Sequence, residues 1–102
     1  MAGRYALGDL GRAYALLGRR DDAHKVIATL VRQAEEPGLA GVPVALVHTG
    51  LGDAGSAMEW LARASRDGRR LPFHIRVLPQ WDVVRSSPDF DEFQKEYVIA
   101  GK

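Results

Sequence analysis

The sequence predicts an all-α fold of paired helices, and three observations predict it. Apolar residues recur at spacings of three and four along most of the chain, the period of a helix with one buried face. No segment keeps the two-residue alternation of a half-buried strand. Two stretches also match one another at a constant 34-residue offset, the mark of a chain assembled from like units.

The first unit, about 4–37, reads as a helical hairpin over 4–36. Tyr5, Leu7, Leu10, Ala13, Tyr14 and Leu17 form the apolar stripe of its first helix. Gly18 ends that helix where a positive φ is wanted, and Asp21 or Asp22 is expected to cap the next. Ala23, Val26, Ile27, Leu30, Val31 and Ala34 form the second stripe, broken by Glu35-Glu36-Pro37-Gly38.

The second unit, about 38–71, repeats the plan as a hairpin over 39–67. Pro43 suits a first helical turn, where its missing N–H costs nothing. Val44, Val47 and His48 are expected to face inward, Gly52 to turn the chain and Asp53 to cap. Ala57, Met58, Leu61 and Ala64 make the next stripe, with Trp60 at its edge. Gly18 pairs with Gly52 and Ala23 with Ala57 at the 34-residue offset, as do Leu10 with Val44 and Ile27 with Leu61.

The tail, 72–97, is predicted to be a helical cap in shorter pieces. Phe73, Ile75, Val77 and Leu78 belong to the first and Trp81, Val83 and Val84 to the next. Ser87-Pro88-Asp89 makes a helix start from a hydroxyl cap, a proline and an acid, ahead of the stripe Phe90, Phe93 and Tyr97.

The bulk numbers narrow the function classes. At 102 residues the chain is the size of a single domain, 1–102, and its 46% apolar and 26% charged residues fit a globular one. Fourteen Lys and Arg against thirteen Asp and Glu leave a net charge of +1, without the basic excess of a strong nucleic-acid binder. With no cysteine there is no disulfide, thiolate metal site or cysteine nucleophile. No run approaches the roughly 20 apolar residues of a membrane span, and the start lacks a signal-peptide pattern, so the expected location is the cytoplasm. Richness in Ala, Gly and Arg points to a GC-rich bacterial source.

The first unit carries Leu7-x2-Leu10-Gly11-x2-Tyr14, then Ala23-x3-Ile27, then Pro37. This resembles the tetratricopeptide repeat, whose pattern runs W-x2-L-G-x2-Y, A-x3-F, P with a 34-residue period. The second unit, Gly41-x2-Val44-Ala45-x2-His48 and Ala57-x3-Leu61, keeps the period but loses the large aromatics. The segments Leu51-Gly52-Asp53, Glu59-Trp60-Leu61-Ala62-Arg63-Ala64 and Ser87-Pro88-Asp89-Phe90 resemble the closing section of tetratricopeptide arrays in bacterial regulators. The resemblance covers about two thirds of the chain and implies a right-handed stack of hairpins with a terminal cap. It also implies a C-terminal fragment or stand-alone relative of such an array, whose role is to bind another protein.

In such a stack the first helix of each hairpin lines a concave face. The expected partner-binding residues are therefore Tyr5, Arg12 and Leu16 in the first unit and Leu46 and Thr49 in the second, with the first helix itself as a further contact surface. The expected partner is a protein or peptide; the alternative is a structural unit that self-associates as a homodimer. The carboxylate clamp of the family is not expected, since its positions hold Gly8, Arg12, Pro43, Phe73 and Val77, of which only Arg12 fits. Arg63, Arg66, Arg69, Arg70 and Arg76 read as a solvated helix end rather than a phosphate site. His24, His48 and His74 form no spacing that converges on a metal, and no phosphate loop or nucleophile elbow occurs, so neither cofactor nor catalysis is expected.

Overall fold

The computed structural model describes residues 3–34, 40–65, 71–97 and 99. Helix α1 (Arg4–Leu16) turns into α2 (Arg20–Gln33), and α3 (Gly41–Gly50) turns into α4 (Ala54–Ser65). Both turns are closed by the same pair of bonds. In the first, Gly18 N–H donates to Ala15 O and Arg19 N–H to Tyr14 O. In the second, Gly52 N–H donates to Thr49 O and Asp53 N–H to His48 O, which keeps the 34-residue offset. This double closure places the residue after the helix in the left-handed region, where Gly18 (φ 80°) and Gly52 (φ 74°) sit without strain.

The two second helices start differently. Asp53 caps α4 as expected: its carboxylate accepts from Ser56 N–H at 3.0 Å and Ser56 Oγ at 2.7 Å. Those two bonds hold its carboxyl below the ordinary pKa. Helix α2 has no side-chain cap, because Asp22 pairs with Arg19 at 2.7 Å and lies inside the first turn, as does Asp21.

The C-terminal section continues in short pieces: 3-10 turns at Phe73–Arg76 and Pro79–Trp81, then α5 (Asp82–Arg85) and α6 (Phe90–Glu96). Arg85 pins these turns, donating to Ile75 O at 2.6 Å and Leu78 O at 2.9 Å while also meeting Asp82. Ser87 Oγ accepts from Asp89 N–H at 3.3 Å, one step ahead of the helix, so α6 begins at Phe90 rather than at Pro88. Leu71 and Ile99 form one isolated parallel bridge. Among the described residues the fold is all-helical with no strand, and no helix is long and apolar enough to cross a membrane. The expected break at 35–38, and the residues Arg66, Arg69 and Arg70, lie outside the described residues.

Helix α3 is the axis of the molecule. It carries no Asp, Glu, Lys or Arg and is buried nearly all round, as an evenly apolar helix must be. Val44 and Val47 join Ala15, Ala23, Val26 and Leu30 in one core cluster. On its other side Val42, Ala45 and Leu46 join Ala57, Leu61, Ile75, Trp81 and Val84 in a second. The tail thus covers what the two helix pairs leave open on α3.

The contact of α1 with α3 corrects one expectation. The buried residues of α1 are Gly8, Gly11 and Ala15, not its large apolar side chains. A Cβ on Gly8 would sit 3.1 Å from Pro43 O, and one on Gly11 would sit 2.6 Å from Val47 Cγ2. The helices approach closely along this small-residue stripe. Tyr5, Leu10, Ala13 and Leu17 are displaced outward and stand exposed, as does Val31 on α2.

Candidate functional site

Three of the five expected contact residues are on the surface and two are not. Tyr5 is 51% exposed in the first turn of α1, its ring edge-on to His74 at 6.4 Å. Partial burial raises its phenol pKa, with Arg4 opposing. Leu16 is 60% exposed at the other end of the same helix. Arg12 lies between them, half-buried, its Nε shielded from water and bonded to nothing among the described residues. Its backbone packs on the end of α3, where a Cβ on Gly50 would sit 2.8 Å from Arg12 O.

Leu46 and Thr49 are each only 4% exposed, which corrects their assignment to an open concave face. Leu46 is in the core with Ile75, Trp81 and Val84, and Thr49 turns its hydroxyl back to donate to Leu46 O at 2.6 Å. The physical reason is the tail: it packs onto the side of α3 that the expected groove would have used. A signal for this was present. A helix without Asp, Glu, Lys or Arg, in a chain whose tail carries Ile75, Trp81 and Val84, has to bury all its sides.

The turn at His74, which the Tyr5 ring meets, is fixed within the tail. Trp81 Nε1 donates to His74 Nδ1 at 3.0 Å, and the two rings stack at 6.0 Å. Burial lowers the pKa of His74, with Asp9 opposing. Burial also lowers that of His48, opposed by Asp53 and Glu59 and assisted by His24; its Nδ1 is shielded and unbonded among the described residues. Both folded pKa values lie below the unfolded one near 6.5, so the folded chain binds fewer protons than the unfolded chain as pH falls through that region. Stability is then lost on acidification. The thermal midpoint is expected to drop between about pH 7.5 and about pH 5.5, and to drop less in a His48→Gln, His74→Gln double variant. An equal drop in both proteins would exclude the histidines as its cause.

The first helix, expected as a further contact surface, stands exposed along the outer face of the α1–α2 pair. Leu10 is 44% exposed and Leu17 73%. Leu10, Leu7, Tyr14, Val26 and Thr29 border a shallow cleft of about 220 Å³ between the two helices, rimmed by Asp22 and Lys25. The guanidinium of Arg19 lies 4.8 Å from the centroid of the Tyr14 ring. The stripe itself was visible in the sequence, but its periodicity marks an apolar surface without saying whether this chain covers it.

A second concavity of about 330 Å³ lies between α4 and α6, with Met58, Ala62 and Phe93 as its floor and Glu59, Asp89, Glu92 and Glu96 around it. Those carboxylates are solvated, and Lys95 meets Glu92 at 3.3 Å, so an exposed helix face accounts for them. Among the described residues, no group of three or more His, Cys, Asp or Glu could hold a metal ion. Comparison of the chain with protein-family models, curated proteins and solved structures finds no match.

Proposed function

We propose that the chain is a tetratricopeptide-like module, a stack of helical hairpins with a C-terminal cap, that binds another protein through its first helix pair and performs no chemistry of its own. The observation that carries this reading is the unequal cover of two equivalent faces. Val44, on α3, is fully buried against α2, whereas Leu10, its equivalent at the 34-residue offset, stands in solvent, as does Leu17 just past the end of α1. A contiguous apolar face with a polar rim is the usual mark of a protein contact. Tyr5, Arg12 and Leu16 stand on the other side of α1, across its buried small-residue stripe, and form a separate surface; Leu46 and Thr49 take no part.

The test is a pulldown from cells of the source with the wild-type chain and a Leu10→Glu, Leu17→Glu variant. Both residues are exposed, so the variant is expected to keep its helical spectrum and its melting temperature within a few degrees. The reading predicts a protein retained by the wild type and lost from the variant. Identical recovery by both, or none by either, counts against it.

A further inference from the structure

We propose that His74 and Trp81 form a proton-operated latch on the tail. The neutral imidazole holds the turn 73–81 closed, and a proton on its Nδ1 loosens it.

Trp81 is completely buried, and its indole N–H is the one polar group on that ring. The N–H donates to His74 Nδ1 at 3.0 Å. An imidazole nitrogen accepts only while it carries no proton, so the bond selects the neutral ring with its hydrogen on Nε2. Protonation makes both ring nitrogens donors. Two donors then face one another, and the buried indole N–H is left without an acceptor. The half-buried imidazole can turn toward water, whereas the sealed indole cannot. Trp81 thereby loses the hydrogen bond that ties its polar edge to the preceding turn.

The groups around His74 set how far the latch opens. From α1, Tyr5 meets the ring edge-on at 6.4 Å. Burial disfavours the charged imidazole, and Asp9 of α1 favours it to a lesser degree. From α5, Asp82 and Arg85 pair with one another, and Arg85 also donates to Ile75 O and Leu78 O. Helix α3 brings no Asp, Glu, Lys or Arg, and its His48 answers to burial and to Asp53, His24 and Glu59. Arg76, on the turn itself, is exposed. A guanidinium keeps its charge in acid, so the carbonyl bonds of Arg85 persist. The turn therefore loosens without leaving α3. The change reaches the surface through Tyr5, whose exposed ring rests against the imidazole that moves.

A proton–nitrogen NMR titration of the full chain from about pH 8 to about pH 5 decides this. The latch is closed above the folded pKa of His74, which burial holds below the ordinary value of 6.5. The Trp81 indole N–H resonance is expected to move in step with the His74 titration. Its protection from exchange, corrected for the pH dependence of the intrinsic rate, should fall by about tenfold more than that of the α2 amides. His74→Gln keeps an acceptor that cannot be charged, and should remove this extra loss. Trp81→Phe should raise the pKa of His74, because no indole N–H then competes with the proton for Nδ1. A Trp81 indole indifferent to the His74 titration overturns the latch, as does a His74 pKa that Trp81→Phe leaves unchanged or lowers. The first of these readings needs no substitution, so it stands whatever Trp81→Phe does to the fold.

Discussion

Trp81→Ala is expected to cost about 3–5 kcal/mol, the range for deleting a large buried aromatic. Trp81 is completely buried and is the largest side chain sealed in the core. Its ring packs with Ile75 and Val84 of the tail against Ala45, Leu46 and Leu61, so it joins the tail to both α3 and α4. Its N–H also fixes the ring of His74, and with it the turn that reaches Tyr5. Domains of this size are stable by only about 5–15 kcal/mol, so the loss is a large part of the total. A thermal midpoint lower by roughly 15 °C or more is expected, at about 4–8 °C per kcal/mol. Because the apolar side of α3 is uncovered, dye binding to exposed apolar surface should rise with it. Trp81→Phe keeps most of the volume and loses the bond to His74, so it should cost far less, about 1 kcal/mol. If Trp81→Ala melts within a few degrees of the parent, the tail is not part of the core.

Much of this fold was legible in the sequence, and the reason is local. Gly18 and Gly52 announce the two turns because only glycine takes that conformation freely. Ala23 and Ala57, each fully buried, mark the level at which each pair closes. Asp53 with Ser56 reads as a helix start and is one. What periodicity did not settle was direction. Helix α1 has a stripe of large apolar residues and, rotated from it, the small stripe Gly8, Gly11 and Ala15. Size suggests that the large stripe is buried, but close approach favours the small one, and α3 lies against it.

The candidate site was legible in half. Tyr5, Arg12 and Leu16 are on the surface because α1 buries its small stripe instead, and the Tyr5 ring meets the turn at His74. Leu46 and Thr49 are not, because an offset from a buried stripe implies exposure only on a helix with a polar side, and α3 has none. The long-range packing of the tail carries no local signal. It follows from the need to cover α3, which is a property of the whole chain.

Two faces equivalent at the 34-residue offset differ in being covered, and thiol labelling measures this most directly. The chain has no cysteine, so Leu10→Cys and Val44→Cys each introduce a single reporter. Cysteine behaves as a small apolar residue, and both sites tolerate it in the fold. In dilute protein the thiol of the Leu10→Cys chain should react with an aromatic disulfide reagent at nearly the rate of the unfolded chain. The thiol of the Val44→Cys chain, reached only when the core opens, should react slower by a factor on the order of a thousand or more. Equal rates at the two positions in dilute protein, or a thiol at position 10 already protected there, would contradict the difference in cover.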